Sequence, residues 1–416
     1  MPDLVPVHGG LDAPVSRTIP LSRRLKFFGD VADLPQIEVT RADLSTVYRI
    51  ADGTLSPLTG PMDEETWNFV LDNECIDHGF RNYAWTAPIS LPVTDAEAAK
   101  IKTGGHAAIV YSGDPVAVIK VTSIFGWNKA KHVESFYGTS RTDHPGGQMI
   151  VGDERTQLIG GDIYALPQPV DPEYGHLVMS PRQTRTLIAE RGWERALAFQ
   201  TRNPLHRAHE YALVAGVESL TRRGLLTGAV LNPLIGELKG DDVPASVRMK
   251  CYRELHDREL LGDGDKDKAL WKECGYDLNE VFELVGLDIK MLYGGPKEAV
   301  MHAVYRQNHG FTDIVIGRKH ADAPFADGEA IWGDFDAQEI FTNLKGDLRI
   351  QPCNIGFAAF YESMGRVDLM QNHKDEKAVF ISGSKVREAL TSGQRPDERI
   401  LRPEIADILI EYYKSK

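Results

Sequence analysis

The sequence predicts an α/β protein with a β-rich N-terminal half, a parallel-sheet catalytic half and a small α/β tail. Three observations carry that prediction. After about residue 180, short apolar strands alternate with longer helices, which implies a parallel sheet with right-handed crossovers. The first 165 or so residues break instead into short apolar runs at Gly-Gly, Gly-Asp-Pro and Pro-Gly-Gly turns. Finally, the polar run FQTRNPLHRAHE, residues 199–210, interrupts the end of an apolar strand. A length of 416 residues suggests two or three domains, read here as 1–165, 166–345 and 346–416.

In chain order, Ala107–Tyr111 and Pro115–Thr122 read as strands of the first half, and Ala96–Thr103 as a helix. His132, Arg141 and His144 read there as surface residues as readily as site residues. Ser180 and Pro181 begin a capped helix running to Arg191. Ala196–Phe199 is a strand, 206–223 a helix stopped by Gly224, and Gly228–Asn232 a second strand. Pro244 opens a helix to Glu254. Residues 255–286 read as a charged surface insertion. Its Asp263, Asp265 and Asp267 resemble a calcium loop, but the twelfth position, where an EF-hand needs glutamate, is Cys274. Asp288–Tyr293 is the expected third strand, Pro296–Asn308 a helix ended by Gly310, and Thr312–Ile316 the fourth strand. Blocks 200–209, 232–242 and 317–324 each follow a predicted strand. In parallel sheets ligands bind outside the carboxyl ends of the strands, so these blocks should converge on one site.

The chemistry concentrates at 199–210. Gln200, Thr201, Arg202 and Asn203 follow one another where the strand gives way to a helix, and His206 and His209 share one face of that helix's start. Free N–H groups and the helix dipole already favour an anion there. A bland reading, in which Pro204 marks the helix start and Arg202 pairs with a carboxylate, accounts for each residue singly but not for four polar side chains in succession. Zinc does not fit the run. The zinc-protease motif spaces its histidines four apart around a glutamate, whereas here the gap is three and Arg207 and Ala208 intervene.

Bulk properties narrow the partners. A net charge of −13 argues against a nucleic-acid binder, and means that an anionic substrate must be captured by local cations against the overall field. No apolar run reaches membrane-spanning length and no signal-peptide pattern opens the chain. Cys75, Cys251, Cys274 and Cys353 are scattered, as expected of reduced thiols in a cytoplasmic protein.

The Gln-x-Arg-Asn and His-x-x-His pattern at 200–209 resembles the adenylyl-transfer corner of the ATP sulfurylase (sulfate adenylyltransferase) family. The resemblance extends through LNPLIGELKGDDVPASVR at 231–248, GGPKEAVMHA at 294–303, IGRKHADAP at 316–324 and ISGSKVREAL at 381–390. ADGTLSPLTGPM at 51–62 is similar to the family's N-terminal signature. It implies a Rossmann-like nucleotidylyltransferase domain behind a PUA-like β-rich domain, single-function, without a fused kinase. It also implies the reaction of ATP with sulfate to adenosine 5′-phosphosulfate and diphosphate, open in either direction.

Carried onto this chain, the resemblance implies catalytic roles for Thr201, Arg202 and Asn203, and a sulfate cradle of Gln200, Arg202 and the backbone near Ala321. ATP would be held by Gln200, Asn203, His206, His209, Asn232, Gly317, Arg318, His320, Ser384 and Arg387. Ser382 and Ser384, with Gly383 between them, resemble a phosphate loop in which Arg387 is the counter-charge; an ordinary helix cap, Ser384 with Glu388 nearby, stays open. Mg²⁺ is expected with ATP, and a homodimer is the family's default. Two departures stand out. Many relatives read Gly-Arg-Asp-His-Ala-Gly where this chain has Lys319 and Asp322, from which an Asp322–Lys319 pair is expected. That departure motivates an alternative, a diverged nucleotidylyltransferase acting on another oxyanion. Some relatives also carry a zinc knuckle near 360–376, where this chain offers only His373 and a distant Cys353, so no protein-bound zinc is expected.

Overall fold

The computed structural model describes residues 4–236, 243–379 and 383–415. Strands β1 (Gln36–Glu38), β2 (Pro92–Val93), β3 (His106–Tyr111), β4 (Asp114–Gly126) and β5 (Gln157–Ala165) form the N-terminal sheet in the order β1-β3-β4-β5-β2. Its pairs are antiparallel except β1 with β3. The helix read at 96–103 shrinks to one turn, Asp95–Ala98, before a Gly-Gly turn. Helix α1 (Arg41–Asp52) closes the core, started by a Thr40–Asp43 capping box and ended at Gly53, whose φ of +90° suits glycine.

The second half is the expected parallel sheet. Strands β6 (Arg195–Thr201), β7 (Thr227–Pro233), β8 (Phe282–Leu284), β9 (Asp313–Ile316) and β10 (Gln351–Asn354) lie in the order β8-β7-β6-β9-β10, every pair parallel. Chain order reverses between β6 and β9, and at such a switch point the loops diverge and open a crevice. Helices α2 (Pro181–Arg191), α3 (Arg207–Thr221), α4 (Ala245–Asp257) and α5 (Gly295–Asn308) connect and cover the strands. Helix α3 comes close to the sheet because Gly216 faces it: a Cβ there would sit 2.6 Å from the Leu197 side chain. Strand β10 lies beyond residue 345 yet completes this sheet. A three-stranded sheet (358–361, 366–369 and 378–379) follows, then α6 (Gly383–Thr391) and α7 (Pro403–Lys414), which packs on α4.

Two expectations are corrected. Residues 288–293 are not the third strand; β8, at 282–284, takes that place. The alternation that suggested a strand is present, since Ile289, Met291 and Tyr293 are all buried, but they pack into the core of the N-terminal half. Asp288 anchors this strip. Its carboxylate accepts from Arg41 (3.0 Å), Ser45 (2.9 Å) and Gln168 (2.6 Å), while Arg49 donates to its carbonyl. Nor is 255–286 a surface insertion. Leu261, Trp271, Leu278 and Phe282 are buried, and Asp265, 1 % exposed, is held by Arg207 at 2.6 Å and by the Val367 N–H. Asp267 caps the helix Lys268–Cys274.

The N-terminal signature at 51–62 serves the same junction. Asn308 donates to the carbonyls of Thr54 and Ser56, and the Thr54 and Thr184 hydroxyls sit 3.1 Å from opposite nitrogens of His309. His132 and His144 are buried rather than superficial. Arg141 is partly exposed and paired with Asp143, Asp327 and Glu329.

Candidate functional site

A cleft of about 780 Å³ opens at the switch point between β6 and β9, roofed by the C-terminal segment. Gln200, Thr201, Arg202, Asn203, His206 and His209 line it from one side, and Gly317, Arg318, Lys319, His320, Ala321 and Asp322 from the other. A smaller cavity of about 90 Å³ lies between the two halves and is lined by none of these residues.

On the β6 side, the strand delivers Gln200 and Arg202 to the cleft with unsatisfied atoms. The Gln200 Oε1 and the Arg202 Nη1 are buried without a hydrogen-bond partner among the described residues. The Arg202 guanidinium lies 5.4 Å from the Tyr293 ring centre, a cation–π contact that orients the fork without consuming its donors. Thr201 turns inward: its hydroxyl donates to the Asn203 carbonyl at 3.0 Å, which Tyr252 also reaches at 2.9 Å. This pins the turn and leaves the Asn203 side chain exposed.

His206 caps α3, its Nδ1 accepting the His209 N–H at 3.3 Å, and the two rings stack with centres 3.9 Å apart. Burial, then His209, pulls the His206 pKa down to about 3. The crowded cleft wall also lowers His209, although part of that ring faces solvent. Both act as neutral hydrogen-bonding groups at a positive helix end, not as cations.

On the β9 side, Arg318 lies 3.4 Å from the Phe357 ring centre and bonds Asp334 at 2.8 Å. Lys319 also reaches Asp334, at 3.5 Å. The expected Asp322–Lys319 pair is therefore corrected: Lys319 makes its ion pair with Asp334, and Asp322 Oδ1 is buried without a hydrogen-bond partner among the described residues; burial raises the Asp322 pKa, opposed by the nearby charge of Lys319. Lys319 and Ala321 both adopt left-handed backbone, φ +52° and +55°, which costs non-glycine residues strain. The Ala321 carbonyl accepts the Gly295 N–H at 3.1 Å.

Not every predicted residue reaches the cleft. Asn232 is 2 % exposed; its amide donates to the Val285 carbonyl, and its oxygen accepts from the buried Arg306 at 2.7 Å. It is a strut behind the sheet. Residues 237–242 of the second block, and Ser382 of the last, lie outside the described residues. Arg387 lines the cleft from α6, whereas Ser384 is exposed and not part of the lining. His373 contacts Asp368 and Glu376 and stacks on Tyr361; Cys353 lies elsewhere, on β10. Sequence reasoning missed Met291, Phe357, Phe360, Arg399 and Leu401 in the lining, none of which belongs to a polar motif.

Residues 175–412 match the sequence profile of the ATP-sulfurylase family. This chain belongs to the ATP-sulfurylase family. Residues 5–168 match a PUA-like domain, the two halves of the ATP-sulfurylase arrangement expected above. The chain is 49 % identical to a sulfate adenylyltransferase of Pyropia yezoensis, covering 100 % of this chain and 99 % of the relative. A sulfate adenylyltransferase of Desulforamulus reducens is 33 % identical, with 99 % of each covered. A probable bifunctional SAT/APS kinase of Sorangium cellulosum is also 33 % identical, over 99 % of this chain but 66 % of the relative. Among solved structures, a hexameric APS kinase from Thiobacillus denitrificans superposes with a TM-score of 0.71 at 18 % identity, covering 98 % of this chain and 68 % of that one. At that identity the likeness extends to the fold alone.

Proposed function

We propose that the protein is a sulfate adenylyltransferase: a sulfate oxygen attacks the α-phosphorus of ATP, the bond to the bridging oxygen breaks, and diphosphate leaves. The observation that carries this reading is the pair of unsatisfied buried groups, Gln200 Oε1 and Arg202 Nη1, beside a helix start in a family member. Both reactants are anions, so the protein's task is to hold them in line and spread donors over the developing charge. Arg202 supplies a planar fork for a tetrahedral oxyanion, with Gln200 and the Ala321 N–H completing the cradle. Asn203, His206 and His209 bond the phosphates, joined by Arg318 and Arg387, while Thr201 acts by holding the turn that presents Asn203.

Among the described residues, Asp322 is the cleft's single acidic lining group, against Arg202, Arg318, Lys319, Arg387 and Arg399. No group of three metal-ligating side chains is found among those residues. This donor set fits a Mg²⁺ that arrives on substrate oxygens and water, not one caged by carboxylates. When bound with ATP, the ion would neutralise charge on the departing diphosphate. We further propose a homodimer in the cytoplasm, in keeping with four free thiols. No helix among the described residues is long and apolar enough to cross a membrane.

The test is sulfate-dependent exchange of labelled diphosphate into ATP. Exchange that needs sulfate and Mg²⁺, by a protein lacking stoichiometric zinc, is expected. Exchange indifferent to sulfate would transfer the reading to a nucleotidylyltransferase acting on another oxyanion.

A further inference from the structure

Behind the cleft runs a buried line of polar side chains that no step above uses. Glu298, 1 % exposed, sits in the first turn of α5; its carboxylate accepts the N–H groups of Leu292 (2.8 Å) and Gly294 (2.9 Å). One turn on, His302 is fully buried, its Nε2 3.3 Å from a Glu298 oxygen in a bent contact that falls short of a full hydrogen bond. Its Nδ1 lies 3.0 Å from Nε2 of His320, on the loop after β9. The rings meet edge to face, 5.2 Å apart at 70°.

The protons in this line can be assigned one after another. Burial holds both rings neutral, and the buried Arg306 disfavours charge on either. A neutral imidazole has one N–H and one lone pair. A lone pair on His302 Nε2 would face a carboxylate, so that nitrogen carries the proton and Nδ1 is bare. The 3.0 Å contact then needs its hydrogen from His320 Nε2, which leaves His320 Nδ1 with a lone pair. That nitrogen makes no hydrogen bond among the described residues, and the ring lines the cleft.

We propose that His320 presents a hydrogen-bond acceptor to the cleft and receives an N–H or O–H donor of the bound nucleoside, with Glu298 and His302 as the positioning residues that set its tautomer. Phosphate and sulfate oxygens at neutral pH are acceptors too, and would meet that lone pair unfavourably. His320 is then the point on the loop after β9 that meets the sugar or base, while its neighbours Arg318 and Ala321, with the β6 corner, meet the charged oxygens. The inference rests on the adenylyl-transfer reading and deepens it, since it assigns one acceptor to the nucleoside in a cleft otherwise lined with donors for charged oxygens.

The experiment has a spectroscopic and a binding arm. In protein labelled with ¹⁵N-histidine, with His320→Gln used for assignment, long-range ¹H–¹⁵N correlation should show His320 protonated on Nε2 only. Protonation on Nδ1 would overturn the proposal. In His302→Phe the single-tautomer preference of His320 should be lost, and an unchanged tautomer would remove His302 from its role. If that variant does not fold, His302→Asn, which keeps an acceptor near the Nδ1 position, should preserve the preference.

The binding arm titrates wild type and His320→Ala with ATP, 2′-deoxy-ATP, 3′-deoxy-ATP and purine riboside triphosphate. One analogue should bind wild type roughly three- to tenfold more weakly than ATP, the effect of one neutral hydrogen bond, and that gap should close in His320→Ala. The analogue that does so separates a sugar hydroxyl from the base amino group as the donor. Gaps that persist unchanged in His320→Ala would refute the acceptor role. Failure of the underlying reading is distinguishable, because it appears in wild type as exchange without sulfate dependence whatever the tautomer.

Discussion

Replacing Arg202 by alanine separates a residue kept for chemistry from one kept for stability. In the free protein its Nη1 is buried with no hydrogen-bond partner among the described residues, and an orphaned donor of that kind costs about 1–3 kcal/mol. The contact with Tyr293, at 5.4 Å, returns about 0.5–1 kcal/mol. Removing the side chain should therefore leave the fold as stable or stabilise it by about 1 kcal/mol. Turnover should move the other way, because one aimed donor in a water-poor site contributes about 3–4 kcal/mol to the transition state. We expect kcat/KM for sulfate to fall by roughly 100- to 1000-fold in diphosphate exchange, with an unchanged or higher midpoint of thermal unfolding. Arg202→Lys should recover less than about one decade, since a point charge cannot reproduce the fork. Activity within about threefold of wild type would refute the assignment, and so would a stability loss above about 2 kcal/mol, which would mark Arg202 as structural.

Other outcomes follow from the same structure. Asp288→Ala strands the partly exposed Arg41 and Gln168 at the junction and should cost about 1–3 kcal/mol in urea unfolding. Burial lowers the pKa of His8 to about 4 and of His132 to about 3, and holds His309 well below its ordinary value. A histidine depressed in the folded state stabilises fully above its unfolded pKa, near 6.5, and loses that contribution as pH falls; unfolding at pH 7.5 and 5.5 should differ by about 4 kcal/mol from these three together. Ala321→Gly relieves left-handed strain and should raise stability by up to about 1 kcal/mol while raising KM for sulfate, read by calorimetry and kinetics on one preparation. Because Lys319 makes its ion pair with Asp334 and reaches Asp322 only through its charge, a Lys319→Asp, Asp322→Gly cycle on ATP binding should show a coupling below about 1 kcal/mol; stronger coupling would restore the pairing read from sequence.

Much of the parallel sheet could be read from the chain because strands such as Ala196–Phe199 and Thr312–Ile316 are apolar runs bounded by turns, and helices such as Pro181–Arg191 carry their own caps. The corner at 200–209 stood out because polar side chains there break a buried strand. Residues 288–293 misled because alternation reports burial on one side, not what does the burying; a strip against a neighbouring core and a strand within a sheet look alike. Asn232 failed for a related reason: a polar residue at a strand's carboxyl end can face the ligand or, as here, a buried arginine behind the sheet. The Lys319–Asp334 contact and the apolar wall of Phe357, Phe360 and Leu401 depend on chain segments meeting across loops, which leaves no periodic trace.

Tyr293 ties these threads together. It is buried in the N-terminal core, yet its ring lies under the guanidinium of Arg202. The aromatic floor beneath Arg202 is thus propped from behind by the other half of the molecule. A chain cut near residue 170 would keep every polar residue of the 200–209 corner, but would bare Ile289, Met291 and Tyr293 to water and unsettle that floor. Modularity, on this view, stops at the sequence: the β-rich half is not baggage carried beside an enzyme but part of its tooling, and the two halves would be inherited, lost or exchanged only as a pair.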